Sequence, residues 1–379
     1  MIRESSSGFS APVGLEAIHT QEEKMKLKQL AFGLSALALT SAALLALTPA
    51  QAQAKTYRIG ISNGFVGSEW RTQMLDGIRE VVEEYKKAGT NVELVIQSAD
   101  VDVQGQIQQI RNLINAKVDG IIINPNSQTG LNQVIREATD AGIKVVVVDQ
   151  EVSAPTAVNV AIDQRAWAKD KMDWLAKALG GKGNIVVING IDGHPANEAR
   201  EAGIADSLKN YPNIKVLNTA NGDWDHAKAQ QVLSSILASQ PNIDGIFTQD
   251  GMGQGVLRAL IAAKPRKMPI VSGEAYVGYM KLWTEIKKSY PDFRSYGLAN
   301  PPGVGASGLR VVMSLIQGKQ LKDGVLKGPY KNTIYVPIPA RVDDSTLAKT
   351  LADLLAKKKA DTYTMDGYLT QAQANAYFK

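Results

Sequence analysis

The sequence predicts an α/β protein of two similar open units, each with a parallel sheet, and three observations support this prediction. Segments typical of strands and helices alternate from residue 57 onward. Several strand segments, such as 120–124 and 144–149, are continuous apolar runs, which a sheet covered by helices on both faces requires. The same alternation repeats in the second half, and a chain of 379 residues usually divides into more than one domain.

The first unit begins with a buried strand and an amphipathic helix, and this pairing is then repeated. Its predicted strands lie at 57–63, 92–98, 120–124, 144–149 and 158–162, and its helices at 68–87, 103–116 and 128–141.

The second unit follows the same scheme. Its predicted strands lie at 184–189, 215–218, 245–249, 269–272 and 295–298, with helices near 164–179, 195–209, 225–239, 253–263, 276–288 and 303–317. A last strand at 334–342 and a helix near 345–358 complete the prediction.

Composition excludes several classes of protein. The chain has no Cys and three His, which removes disulfide scaffolds, Cys-ligated metal sites and thiol catalysis. The net charge of +5 is mild, and its densest basic run, 357–359, is typical of a solvated helix end. Aromatic residues make up 6% of the chain, which argues against a base-stacking surface. We therefore expect no nucleic-acid partner.

The N-terminal segment has the order of a secretory signal peptide. Lys26 and Lys28 follow Met25, an apolar stretch runs over 30–47, and small residues ending at Ala54 offer cleavage sites. An uncleaved membrane anchor is the alternative interpretation. We expect 25–54 to be a cleaved signal peptide, 1–24 an extension upstream of the true start, and the mature protein periplasmic.

Polar residues end or follow most of the predicted strands. In open α/β sheets, ligands bind outside the carboxyl ends of the strands, so these residues are candidates for a binding site. Helix capping is the simpler explanation for any one of them. Two tryptophans also stand in polar strand–helix loops. The candidates in chain order are Asn63, Trp70, Asn124, Asp149, Gln150, Asp163, Asn189, Trp224, Asp250, Glu274 and Asn300.

The order of elements and several short motifs resemble the type I periplasmic sugar-binding proteins of ABC transporters, the ribose/galactose/allose-binding family. The resemblance covers residues 56–345. Its motifs are Tyr57-Arg-Ile-Gly-Ile-Ser-Asn63 with Trp70-Arg71, Gly120-Ile-Ile-Ile-Asn-Pro-Asn126, Val145-Val-Val-Val-Asp149, Asn197-Glu-Ala-Arg200-Glu-Ala-Gly203, Asp223-Trp-Asp225 and Gly245-Ile-Phe-Thr-Gln-Asp250.

The resemblance implies two lobes that close about a hinge on a monosaccharide. The lobes would be 55–162 with 301–336, and 163–300 with 337–379. Carboxylates would accept hydrogen bonds from sugar hydroxyls, Arg and Asn would donate them, and indole faces would cover the C–H faces of the ring. The implied ligand-binding residues are Asn63, Trp70, Arg71, Asn124, Asp149, Gln150, Arg200, Trp224, Asp250, Glu274 and Asn300.

Three positions depart from the family's usual pattern. Gln150 stands where Arg is frequent, Glu274 where Asp is usual, and Trp70-Arg71 replaces an aromatic pair. These departures bear on which sugar is bound.

The family resemblance also implies the partners. We expect a monomer that needs no cofactor or metal and delivers its ligand to ABC permease subunits. The ATPase would be a separate chain, because the sequence has no G-x-x-x-x-G-K-[ST] motif. The alternative is a periplasmic component that presents a sugar or signal molecule to a sensor kinase or chemoreceptor. A transcription regulator would carry a helix-turn-helix where the signal-like segment stands.

Three enzyme-like patterns are weak. The G-x-S-x-G pattern around Ser62 lies on the first strand, and His194 and His226 are better interpreted as helix-start residues than as catalytic partners. A G-x-G-x-x-G pattern spans 303–308, but no acidic strand end follows it closely. A calcium-loop-like start at 100–105 has no Glu at its twelfth position. We therefore expect a binding protein rather than an enzyme.

Overall fold

The computed structural model describes residues 55–240 and 242–379, which form two six-stranded sheets with helices packed against them. The predicted signal peptide and the extension before it lie outside the described residues. Within the described ranges, the helices are too short or too polar to cross a bilayer. The predicted α/β class with two parallel sheets is confirmed.

The first sheet has the strand order β11-β5-β4-β3-β1-β2, in which β11 is Thr333–Tyr335, and all of its strands are parallel. Its strands β3 and β4 are apolar runs buried between helices, as the sequence predicts. The elements of this part of the chain are β1 (Thr56–Asn63), α1 (Glu69–Lys87), β2 (Asn91–Ser98), α2 (Val103–Asn115), β3 (Gly120–Asn124), α3 (Asn132–Asp140), β4 (Lys144–Val148) and β5 (Val158–Ala161).

The second sheet has the order β12-β10-β9-β8-β6-β7, in which β12 is Arg341–Val342, and β12 alone among its described strands runs antiparallel to its neighbour. Its elements are α4 (Gln164–Ala178), β6 (Lys182–Asn189), α5 (Pro195–Leu208), β7 (Asn213–Asn221), α6 (His226–Ser239), β8 (Gly245–Thr248), α7 (Gly253–Ala263), β9 (Ile270–Glu274), α8 (Val277–Ser289) and β10 (Ser295–Leu298).

The chain passes between the sheets after β5, after β10, and between β11 and β12. Helix α9 (Val304–Ile316) returns to the first sheet and packs on β3 and β4. The prediction of one strand over 334–342 is wrong. The structure has β11 (Thr333–Tyr335) beside β5 and β12 (Arg341–Val342) beside β10. Pro337 and Pro339 lie between them, and proline has no N–H to donate to a strand ladder.

The C-terminal tail continues beyond α10 (Leu347–Ala356) and runs along both sheets. The N–H of Met365 donates to the carbonyl of Ala275, beside the second sheet, at 2.8 Å. Residues 366–379, which include α11 (Gln371–Asn375), then lie against α9 and α1, with the buried Phe378 packed into the core on the first sheet's side. The tail therefore differs from the expected placement of 337–379 entirely with the second sheet.

Candidate functional site

A cavity lies between the two sheets, where the carboxyl ends of their strands face each other. Strand–helix loops of both sheets supply its wall, which is the edge at which open α/β folds bind ligands. The lining residues are Phe65, Ser68, Trp70, Arg71, Asp149, His194, Ala196, Arg200, Trp224, Asp250, Gly251, Tyr276 and Asn300.

Two indoles line this cavity, each fixed by a hydrogen bond from its ring N–H. Trp70 Nε1 donates to the carbonyl oxygen of Asn300 at 2.8 Å, and Trp224 Nε1 donates to Gln249 Oε1 at 3.1 Å. Trp224 has a φ of +56°, in the left-handed region that bulky residues rarely adopt. Gly190 lies so close to this indole that any Cβ there would clash with it. The loop thus holds Trp224 in one orientation.

Arg71 lines the cavity from α1 and is held from behind by two asparagines. Its Nη1 donates to Asn63 Oδ1 at 3.0 Å and to Asn124 Oδ1. Burial lowers the pKa of Arg71 to about 10, against the attraction of the Asp149 carboxylate, so the guanidinium is charged at neutral pH. Asn63 and Asn124 are outside the cavity wall, and they contribute to the site by orienting this donor.

Arg200 lies on α5 and is almost fully buried, with its guanidinium bonded on every side. Nη2 pairs with Asp250 Oδ2 at 2.7 Å, Nε donates to Gln164 Oε1 at 2.9 Å, and Nη1 donates to Gln249 Oε1 at 3.2 Å. The guanidinium carbon also lies 4.4 Å from the ring centroid of Trp167. These contacts fix the orientation of the Arg200–Asp250 pair at the cavity wall.

Asp149 and Asn300 come from different sheets and meet beside this pair. Asn300 Nδ2 donates to Asp250 Oδ2 at 3.0 Å and lies 3.5 Å from Asp149 Oδ1. Burial raises the pKa of Asp149, while Arg71 and Arg200 lower it. Asp149 has a φ of +74°, a second non-glycine residue of the wall in the left-handed region. Strained conformations of this kind concentrate at ligand sites.

Glu274 lies behind the wall rather than in it. Its Oε1 accepts hydrogen bonds from the backbone N–H groups of Met252 and Gly253, both at 2.8 Å. Its Oε2 is buried without a hydrogen-bond partner among the described residues. Burial raises the pKa of Glu274, with the Asp250 carboxylate adding to the rise, and burial lowers the pKa of the nearby Lys171.

Gln150 lies outside this cavity, behind its wall. Its Nε2 donates to Asn124 Oδ1 at 3.3 Å and to the carbonyl of Pro125, and its side chain faces a second, adjoining cavity.

Six lining residues were not among the sequence candidates: Phe65, Ser68, His194, Ala196, Gly251 and Tyr276. His194 is a helix-start residue, as expected, because its Nδ1 accepts the N–H of Ala196 at 3.3 Å at the start of α5. It is also part of the cavity wall. Tyr276 follows the end of β9 by two residues, and this position after a strand end is the signal that could have identified it from the sequence.

The enzyme-like patterns have structural explanations. Ser62 is fully buried and donates to Gln109 Oε1 at 2.9 Å, away from the cavity wall. Asp102 caps α2 by accepting the N–H of Gly105 at 2.8 Å. Gly305 lies directly against Met74, so this glycine serves the packing of α9 on α1.

The cavity combines fixed hydrogen-bond donors, fixed acceptors and aromatic faces. Carboxylates accept from hydroxyl groups, guanidinium and amide groups donate to them, and such charge-assisted bonds are about twice as strong as neutral ones. Indole faces cover apolar C–H groups. This arrangement is complementary to a polyhydroxy compound, and a compound that lacks a hydroxyl would leave a buried group unpaired.

Comparisons with known proteins agree with this geometry. Residues 59–320 match the family model described as the periplasmic binding protein domain. The chain is 35% identical over 247 residues to the xylitol-binding protein of Mycolicibacterium smegmatis, covering 64% of this chain and 69% of that one. It is 30% identical over 242 residues to the galactofuranose-binding protein of Escherichia coli, covering 60% and 74%.

Among solved structures, the solute-binding protein of an ABC transporter from Thermobispora bispora superposes with a TM-score of 0.71 at 26% identity, covering 84% of this chain and 94% of that one. The family-model match includes every residue of the cavity wall, and it ends before β11 and β12. The chain belongs to the periplasmic binding protein family, whose members are solute-binding proteins and not enzymes.

Proposed function

We propose that this protein is an exported solute-binding protein that captures a monosaccharide between two closing lobes and delivers it to an ABC importer. The observation that carries the proposal is the cavity itself. Arg71 and Asp149 reach it from the first sheet, Arg200 and Asp250 reach it from the second, and an indole comes from each side. Two of the relatives named above bind xylitol and galactofuranose, both polyhydroxy compounds.

The proposed lobes follow the two sheets. The first consists of 55–162 with 301–336, and the second of 163–300 with 337–379, except that 366–379 packs against the first lobe. A ligand that bonds to groups of both lobes stabilises the closed form over the open one. Permease subunits could then distinguish the two forms, with the ATPase on a separate chain and the binding protein acting as a monomer.

The ligand-binding residues we propose fall into two groups. Trp70, Arg71, Asp149, Arg200, Trp224, Asp250 and Asn300 contact the ligand directly. Asn63, Asn124, Gln150 and Glu274 act from behind, through the side chains or backbone that they hold.

A thermal-shift screen against pentoses, hexoses and polyols tests the proposal, followed by calorimetry on the hits. A ligand at 100 times its Kd adds about 2.7 kcal/mol to the free energy of unfolding, which raises Tm measurably. The matched control is Arg200→Ala, which we expect to show a much smaller shift with the same compound at the same concentration. A panel in which no sugar or polyol shifts Tm at millimolar concentration would contradict the proposal. A protein that binds a sugar but supports no uptake would point to the sensor alternative.

A further inference from the structure

A second cavity adjoins the ligand cavity in the cleft between the lobes. Its volume of about 480 Å³ lies in the range typical of small-molecule sites. Glu151 and Tyr335 line it from the first lobe, and Arg165 and Glu198 line it from the second. Ala196 lines both cavities, so the two are immediate neighbours.

Two side chains from opposite lobes meet between these cavities. Gln150 lines the second cavity and His194 lines the first, and their Nε2 atoms lie 3.3 Å apart. Gln150 is 1% exposed and is anchored by its bonds to Asn124 and Pro125. The ring of His194 packs edge-on against Trp224, with 4.7 Å between ring centroids. Both side chains are therefore held in place, and their contact requires the lobes to be together.

We propose that His194 is a specificity-determining residue that, with Gln150, forms a partition across the closed cleft. The partition confines the ligand to the first cavity and excludes a ligand with a second sugar unit. Because the two residues lie on different lobes, the partition forms as the lobes close and contributes to closure. This inference rests on the proposed function, since it concerns which sugars the same site accepts.

The charges around His194 make the partition dependent on its protonation. Two cations act on the ring, Arg71 from α1 and Arg200 from α5, while the carboxylates of Asp149 and Asp250 line the same cavity. Burial, with these two cations, lowers the pKa of His194 to about 3. In the open form the ring meets water, where its ordinary pKa is about 6.5. Closure therefore requires a neutral ring, and protonation favours the open form.

The sign of the pH dependence follows. Affinity for the ligand is highest above the pKa that His194 has in the open form. It falls as the pH drops below about 6.5, because His194 must then lose a proton before the lobes can close. Between pH 7.5 and pH 5.0, the loss that His194 causes is about 30-fold. Replacing His194 with a side chain that does not titrate should remove this loss. If His194 had a purely structural role, the same replacement would leave the pH dependence of affinity unchanged.

The first test is calorimetry with the best sugar or polyol of the thermal-shift panel at pH 7.5 and pH 5.0. We expect wild type to lose about 30-fold more affinity over this interval than His194→Gln does. Any titration of Asp149 or Glu274 is present in both proteins and cancels in the comparison. Equal losses in the two proteins would overturn the proposal.

The second test concerns ligand size. We expect wild type to reject disaccharides that contain the bound unit, and His194→Ala/Gln150→Ala, which joins the two cavities, to bind at least one of them. Glu198→Ala is the matched control, because it changes the second cavity and leaves the partition intact. The single variants His194→Ala and Gln150→Ala serve if the double variant does not fold.

Binding of disaccharides by wild type would overturn the partition. The partition would also be overturned if variants that still bind the single sugar failed to gain disaccharide binding. Failure of every single-unit sugar to bind wild type would instead contradict the proposed function, and the partition with it.

Discussion

Arg200 shows how one side chain joins the several parts of the site. Its guanidinium bonds Asp250, Gln164 and Gln249 and lies over Trp167, so it receives contacts from α4 and from the end of β8. Because burial leaves no water to replace a lost partner, removal of this group leaves Asp250 uncompensated. The consequence should appear as lost affinity rather than as a small loss of stability alone.

We expect Arg200→Ala to weaken binding of the cognate sugar by about 30- to several-thousand-fold, the range for truncation of a buried, charge-assisted donor. Arg200→Lys should not restore affinity fully, because an ammonium does not reproduce the planar fork. Arg165→Ala is the control, since its exposed guanidinium pairs with Asp206. Calorimetry decides, and a loss under threefold in a variant that melts normally would remove Arg200 from the site.

The two indoles of the wall support a spectroscopic prediction. If Trp70 and Trp224 face the sugar, ligand should change the intrinsic fluorescence, and Trp224→Ala should remove much of that change. Trp174→Phe is the control, because Trp174 stacks on Tyr296 at 5.1 Å and is not in the cavity wall. Unchanged affinity in Trp70→Ala/Trp224→Ala would show that both residues serve packing instead.

At the scale of elements, close helix contacts position the site. Helix α5 carries Arg200 and packs on α4 at Gly203, where a Cβ would clash with the carbonyl oxygen of Arg165. A glycine at this point lets the two backbones approach, and the approach sets how far Arg200 reaches toward the strand ends.

We therefore expect Gly203→Ala to lower the free energy of unfolding by about 1–3 kcal/mol, the usual cost of overpacking. Gly77→Ala is the matched control, because a Cβ there would meet Ala306 at an ordinary 3.7 Å. The control should be neutral or stabilising by up to about 1 kcal/mol, since Ala favours a helix more than Gly does. Urea unfolding measures both, and equal values for the two variants would contradict the close contact at Gly203.

At the scale of the whole molecule, the described residues form a single compact unit from Lys55 to Lys379. The C-terminal tail links the two lobes. Its Met365 N–H donates to the carbonyl of Ala275 beside the second sheet, and its Phe378 packs on the first lobe. The mature protein we propose coincides with this unit.

We expect the exported protein to begin at Lys55, because the basic residues, the apolar stretch and the small residues before Ala54 have the order of a signal peptide. The intact mass of the periplasmic fraction tests this expectation. Protein retained in the inner membrane with 30–47 still attached would overturn it, and a whole-cell extract provides the precursor mass as the control.

Much of the architecture was predictable because it depends on local patterns. Buried parallel strands are apolar along most of their length, so runs such as 120–124 and 144–148 can be recognised as strands from the sequence. Polar residues at strand ends were equally visible, and parallel strands bring their carboxyl ends to one edge. The α/β class, the positions of most elements and the edge at which the cavity lies could therefore be predicted from the sequence alone.

Tertiary structure decided what each strand-end side chain does there. Asp250 enters the cavity wall while Glu274 turns to backbone N–H groups behind it, although both stand at the carboxyl ends of neighbouring strands. His194 reaches the cavity because Gln150 and Trp224 meet it from outside its own helix. The division of 334–342 between two sheets and the return of the tail depend in the same way on distant partners. Local sequence specifies where a residue lies on a strand, but side-chain direction is set by contacts between residues far apart in the chain.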